Sequence, residues 1–135
     1  MKKLTIIDNE DVSLYCYPKK GIIHHVTHNF IYGETYRNLM TKGADIFIEK
    51  NCNKWLSNVK SSSVVKKEDI QWEKENWEKR VLSAGWKYWA IVESKNRTGR
   101  LSIQQIIEHY KNQGVQVRKD FQNDIAGLYW LSKQS

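Results

Sequence analysis

The run Trp86-Lys87-Tyr88-Trp89-Ala90-Ile91-Val92 constrains this chain more than any other stretch. It mixes aromatic and β-branched side chains, follows Gly85 and stops at the polar segment Glu93-Ser94-Lys95-Asn96. A short apolar run between such breakers reads as a buried strand, placed over Tyr88–Val92. A long charged helical pattern leads into it. A helix feeding a buried strand is half of a βαβ unit, so an α/β domain is expected.

The rest of the chain extends that pattern. Val12–Tyr17 and Ile22–Asn29 flank the turn Pro18-Lys19-Lys20-Gly21 and predict an N-terminal β-hairpin. Tyr32, Tyr36, Leu39, Met40, Gly43, Ile46 and Phe47 share one face of a helix over 31–48, with Asn29 as its cap. Lys54–Val59 reads as a strand and Ser61-Ser62-Ser63 as a loop. A helix over 66–84 carries Ile70, Trp77, Val81 and Ala84 on one face, pairs Glu75 with Lys79, and stops at Gly85. Asn96–Gly99 reads as a loop. Ile103, Ile106, Ile107 and Tyr110 mark a helix over 102–112, ended by Gly114. Val115–Val117 is a short strand. Asn123 or Asp124 caps a helix over 123–132, whose apolar face holds Ile125, Leu128 and Tyr129, widened by Trp130 and Leu131. The expected order is ββαβαβαβα, a mixed sheet with about four helices in a single domain over 1–135.

Length and composition exclude several classes. The 135 residues suffice for one core, and 40% apolar residues with six Trp exclude disorder. No apolar run approaches the roughly 20 residues of a membrane span, and Met1–Asp8 is not a signal peptide. Cys16 and Cys52 show no Cys-x-x-Cys spacing; they read as reduced thiols of a cytoplasmic protein, with a single disulfide as the alternative. The net charge of +7 divides into +3 before Val65 and +4 from there on, with no basic block. Such a surface attracts anions in general and does not by itself name nucleic acid.

No residue cluster announces chemistry. His24 and His28 would stand on one strand face about 13 Å apart and His25 on the other, so no metal is expected there. The chain has no Gly-x-Ser-x-Gly and no phosphate-binding glycine loop. Glu68, Asp69, Glu73, Glu75 and Glu78 alternate with Lys66, Lys67, Lys74, Lys79 and Arg80, as on a solvated helix face, and His109 reads as surface. Core packing accounts for Trp55, Trp77, Trp86, Trp89 and Trp130. Trp72 falls about 140° around its helix from Trp77. That makes it either an anchor for a partner or a cover over the neighbouring loop.

The element order, with three local patterns, resembles the STAS-like proteins, the anti-sigma-factor-antagonist fold of the SpoIIAA type, in particular an uncharacterised branch found mainly in Bacteroidetes. The patterns are Lys54-Trp55-Leu56-Ser57, the span from Trp77 through Gly85 to Val92, and Phe121-x4-Ala126-x3-Trp130-Leu131. They cover most of the chain after residue 50; the first half agrees in element order alone. Members of that group are generally non-enzymatic. They bind partner proteins, and some bind nucleotides or apolar ligands. Their phosphorylated residue lies in Asp-Ser-Ser/Thr-Gly after the third strand. The matching place here holds Asn58-Val59-Lys60-Ser61-Ser62-Ser63-Val64, serines without the flanking Asp or Gly.

The resemblance thus implies a binding or regulatory module, not an enzyme, that needs no cofactor. It acts through a protein partner, with a homodimer left open. Its partner-binding surface is expected at Ser61, Ser62, Ser63, Lys66, Lys67 and Trp72. The alternative is a carrier or sensor of an apolar or anionic small molecule, for which a deep apolar cavity would speak.

Overall fold

The structure is a computed structural model and describes residues 1–135. Six strands form one sheet: β1 (Leu4–Asp8), β2 (Val12–Tyr17), β3 (Ile22–Thr27), β4 (Lys54–Asn58), β5 (Tyr88–Val92) and β6 (Gln116–Phe121). Five helices join or follow them: α1 (Glu34–Glu49), α2 (Lys67–Asn76), α3 (Glu78–Ser83), α4 (Arg97–Asn112) and α5 (Asp124–Ser132). The strands lie side by side in chain order. β1, β2 and β3 are antiparallel, and β3 to β6 are parallel. The observed order is βββαβααβαβα, an α/β fold with a mixed sheet and the expected hairpin at its start.

Strand order decides where the helices go. Each parallel crossover steps the same way across the sheet, and right-handed crossovers that step the same way land on the same face. α1, α2, α3 and α4 therefore cover one face, and α5 alone packs on the other, against β4, β5 and β6. Alternation along the strands follows this division. Trp55, Trp89 and Ile91 belong to the larger core, with Trp77 and Val81 from the helices. Leu56, Tyr88, Ala90 and Val92 belong to the smaller one with Leu131. Tyr88–Val92 is buried along its whole length between β4 and β6.

Several expectations need correction. β1 was not anticipated. It is an edge strand whose Leu4, Ile6 and Ile7 are only half-buried, with a bulge between Thr5 and Ile7, so its alternation is broken. The helix over 66–84 is two helices that bend at Trp77, whose φ is −117°. The Trp77 indole is held from two sides: it donates to the Met40 carbonyl at 2.9 Å and meets Trp55 and Trp86 edge-on. Glu75 and Lys79 straddle the bend, and Glu75 instead accepts from Gln71, a residue of its own helix. Ala84 is exposed.

α1 begins after Gly33, not at Asn29, which bonds to Glu10 and Asp11; Tyr32 lies outside the helix and is exposed. Arg97–Gly99 form the first turn of α4, capped by Asn96, and β6 runs on to Phe121. On α5, Ile125 and Tyr129 are 79% and 63% exposed, while Gly127 and Leu131 face the sheet. Gly127 permits that approach, since a Cβ there would stand 2.8 Å from Leu56. No helix is long and apolar enough to cross a membrane.

Candidate functional site

Between the helix-covered face of the sheet and α1, α2 and α4 lies a cavity of about 60 Å³, lined mostly by apolar side chains. It sits at the carboxyl ends of β3 and β4, where parallel sheets commonly place their sites. Its roof is the segment that leaves β4.

The floor comes from strand register. His25 pairs with Ser57, and Trp55 with Trp89, so alternation turns all four side chains to the same face. They bond to one another: the Trp55 indole donates to His25 Nδ1 at 2.9 Å, and the Trp89 indole donates to Ser57 Oγ at 2.9 Å. Burial pushes the His25 imidazole down to about 3, so the ring is neutral. Its proton is on Nε2, because Nδ1 accepts from Trp55.

The wall carries one acidic side chain. Glu73, on α2, is 5% exposed. Its Oε1 accepts from the Tyr36 hydroxyl of α1, and its Oε2 from the Tyr110 hydroxyl of α4. Three helices meet at this carboxylate. Burial raises its affinity for a proton, and the two tyrosine bonds only partly offset that. Burial and the neighbouring carboxylate likewise hold both phenols well above their usual range.

One turn earlier, Asp69 is 1% exposed and accepts from the Gly33 N–H at 3.0 Å and from Arg37 Nε at 3.2 Å. It serves as the cap that α1 lacks on its own chain segment. The acidic face expected to be solvated is thus interrupted by two buried carboxylates. The helix presents an i, i+4 row of Asp69, Glu73, Trp77 and Val81 inward. Glu78 is half-buried and meets His109 at 2.6 Å, so His109 is not a free surface residue.

The roof is tied down at Thr27, whose hydroxyl donates to the Ser62 carbonyl at 2.8 Å. Ser63 is 3% exposed and its hydroxyl has no hydrogen-bond partner. Gly99 makes room for it: a Cβ there would stand 2.5 Å from Ser63 Oγ.

The structure brings two of the anticipated residues, Ser62 and Ser63, to the cavity. Ser61 and Lys67 are exposed outside it. Lys66 holds its ammonium 4.3 Å over the exposed Tyr32 ring, which stacks on Phe30. Trp72 is half-buried against the core, its ring 5.8 Å from the Arg37 guanidinium. Sequence reasoning missed Glu73, its two tyrosines, and His25 as a buried floor residue. The i, i+4 row through Trp77 was the available signal for Glu73.

The other histidines lie apart. His24 faces α5, with Nε2 3.3 Å from Asp124 Oδ2 and Nδ1 3.3 Å from the Tyr17 hydroxyl. His28 is exposed beside Ser13. No three His, Cys, Asp or Glu side chains converge. Cys16 and Cys52 are free, buried and hydrogen-bonded to each other, which lowers the first thiol and raises the second.

Searched against protein-family models, curated proteins and solved structures, the chain matches none.

Proposed function

We propose that this protein is a non-enzymatic binding domain that holds a small molecule in the aromatic cavity and presents the result to a protein partner through the roof segment 59–66. The observation that carries the reading is the Ser63 hydroxyl. It is buried, without a partner, and borders a cavity that also holds Glu73. Buried polar groups are nearly always satisfied, so an unsatisfied one beside a void calls for an occupant. At about 60 Å³ the void takes a head group of roughly four heavy atoms. It is not the large pocket of a carrier that engulfs its ligand.

The STAS-like resemblance supports the second half of the reading, because the place it matches to the phosphorylated residue of those proteins is Ser61–Ser63, in the segment that here follows β4. Here that loop is the cavity roof. Beside it stand Ser61, Lys66, Lys67 and the stacked pair Phe30 and Tyr32, both exposed. A partner would meet an aromatic and basic surface whose position depends on what lies beneath. Trp72 would stiffen the flank of that surface.

Protein NMR with a fragment panel tests the ligand half. Binders should shift the indole N–H signals of Trp55 and Trp89 together with the amides of 60–65. A panel that moves neither set rejects the cavity as a binding site. For the partner half, Ser61→Glu and Lys66→Glu should reduce capture of the native partner from cell extract, and unchanged capture would place the working surface elsewhere.

A further inference from the structure

We infer that the head group this cavity selects is a small organic cation of the methylated-ammonium kind, seated against Glu73. The inference rests on the binding function proposed above and narrows it to one ligand class.

Charge is the first argument. Among the 21 residues lining the cavity there is no Lys and no Arg, and Glu73 is the one acidic side chain. His25 is neutral. Each Glu73 oxygen accepts one tyrosine bond, which leaves each a lone pair to spare.

Spent donors are the second argument. The indole N–H groups of Trp55, Trp77, Trp86 and Trp89 already donate to His25, the Met40 carbonyl, the Tyr88 carbonyl and Ser57. Both tyrosine hydroxyls donate to Glu73. An anion would enter beside a carboxylate with these six donors occupied, leaving it the Ser63 hydroxyl and the His25 Nε2–H, both neutral. A cation finds the carboxylate together with the π systems of indoles and phenols, which attract positive charge. Size agrees with this assignment. A trimethylammonium head, one nitrogen with its methyls, matches a void with room for roughly four heavy atoms.

A cation beside Glu73 favours its ionised form, so binding releases whatever proton the buried carboxyl holds. Affinity therefore rises with pH and levels off once free Glu73 is ionised. The other charged or titratable groups around it are Tyr36 and the Arg37–Asp69 pair on the α1 side, Tyr110 and the His109–Glu78 pair on the α4 side, and His25 on the sheet.

Titration calorimetry compares tetramethylammonium and choline with 3,3-dimethyl-1-butanol, the uncharged isostere of choline. Choline should bind at least about tenfold more tightly than the isostere. Glu73→Gln, which keeps shape and acceptor, should remove that preference and leave the isostere within about twofold. Wild-type binding should release more protons as the pH is lowered, seen as a heat that depends on the buffer. This readout needs no variant. Equal binding of choline and isostere, unaffected by Glu73→Gln, overturns the cation assignment while the cavity remains a binding site. Absence of binding by all three probes also overturns it. In that case the fragment panel decides separately whether the cavity binds anything.

Discussion

A carboxylic acid and an imidazole face one aromatic cavity, and burial acts on them in opposite directions. It raises Glu73 and lowers His25, because in both it disfavours the charged form. The stability consequences differ in sign. The His25 contribution is fully present above the unfolded-state value near 6.5. It is lost as pH falls toward the folded-state value of about 3, because only the unfolded chain takes up the proton. Glu73 works the other way: its contribution is present below the unfolded carboxyl value and lost as pH rises through the raised folded one. His25→Asn keeps an acceptor for the Trp55 indole and removes the titration. The stability gap between wild type and this variant should shrink by about 1.4 kcal/mol per pH unit below 6.5, measured by denaturant unfolding. Parallel pH profiles would show that His25 is protonated in the folded state. Packing at the same scale gives a second expectation. Trp77 is buried, touches Trp55, Trp86 and Tyr110, and donates to Met40. Trp77→Ala should cost about 3–5 kcal/mol, and a loss below about 1 kcal/mol in chemical unfolding would refute its place in the core.

Among the elements, α2 does the most. Its exposed side is charged, and its inner row caps α1 with Asp69 and closes the cavity with Glu73. Asp69→Ala would leave the Gly33 N–H without its acceptor and Arg37 without its ion partner. The expected cost is about 1–3 kcal/mol, with faster amide exchange concentrated in the first turn of α1. Exchange unchanged there would mean that water replaces the carboxylate at no cost. α4 holds the roof through Gly99. Gly99→Ala should displace Ser63 and shift the amides of 60–65 while the sheet amides stay in place, because the new methyl lands on the serine hydroxyl.

Elements of this kind are legible from sequence when their burial repeats with the element's own period. Tyr88–Val92 is buried throughout, and α4 keeps Ile103, Ile107 and Tyr110 inward. α2 hides its role because its buried side chains are carboxylates. A Glu among lysines reads as solvated until the tyrosines that hold it are known, and these come from helices distant in the chain. The fold was therefore readable in outline, and the core of the site was not.

Across the whole molecule, winding the sheet in one direction gives its two faces unequal cover. Four helices build a core of 22 buried residues, and α5 alone completes one of eight. Stability in such a body is not uniform, and the element with the least burial opens first. α5 is fastened at its amino end by a polar tie. Asp124 accepts from Asn58 Nδ2 at 2.7 Å and lies 3.3 Å from His24 Nε2, so one residue connects the helix to β3 and β4. Burial raises this carboxyl, and His24 and Asn58 outweigh the effect and hold it below its usual range. At its other end the hold is apolar, with Leu131 fully buried and Trp130 against Tyr88 and Phe121. Asp124→Ala should thus release α5 without unfolding the rest. Hydrogen exchange should quicken by about tenfold in Asp124–Ser132, equivalent to roughly 1.4 kcal/mol, while β4, β5 and α1 keep their protection. Uniform acceleration over all elements would show instead that α5 belongs to the global folding unit. The smaller core would then be as cooperative as the larger one.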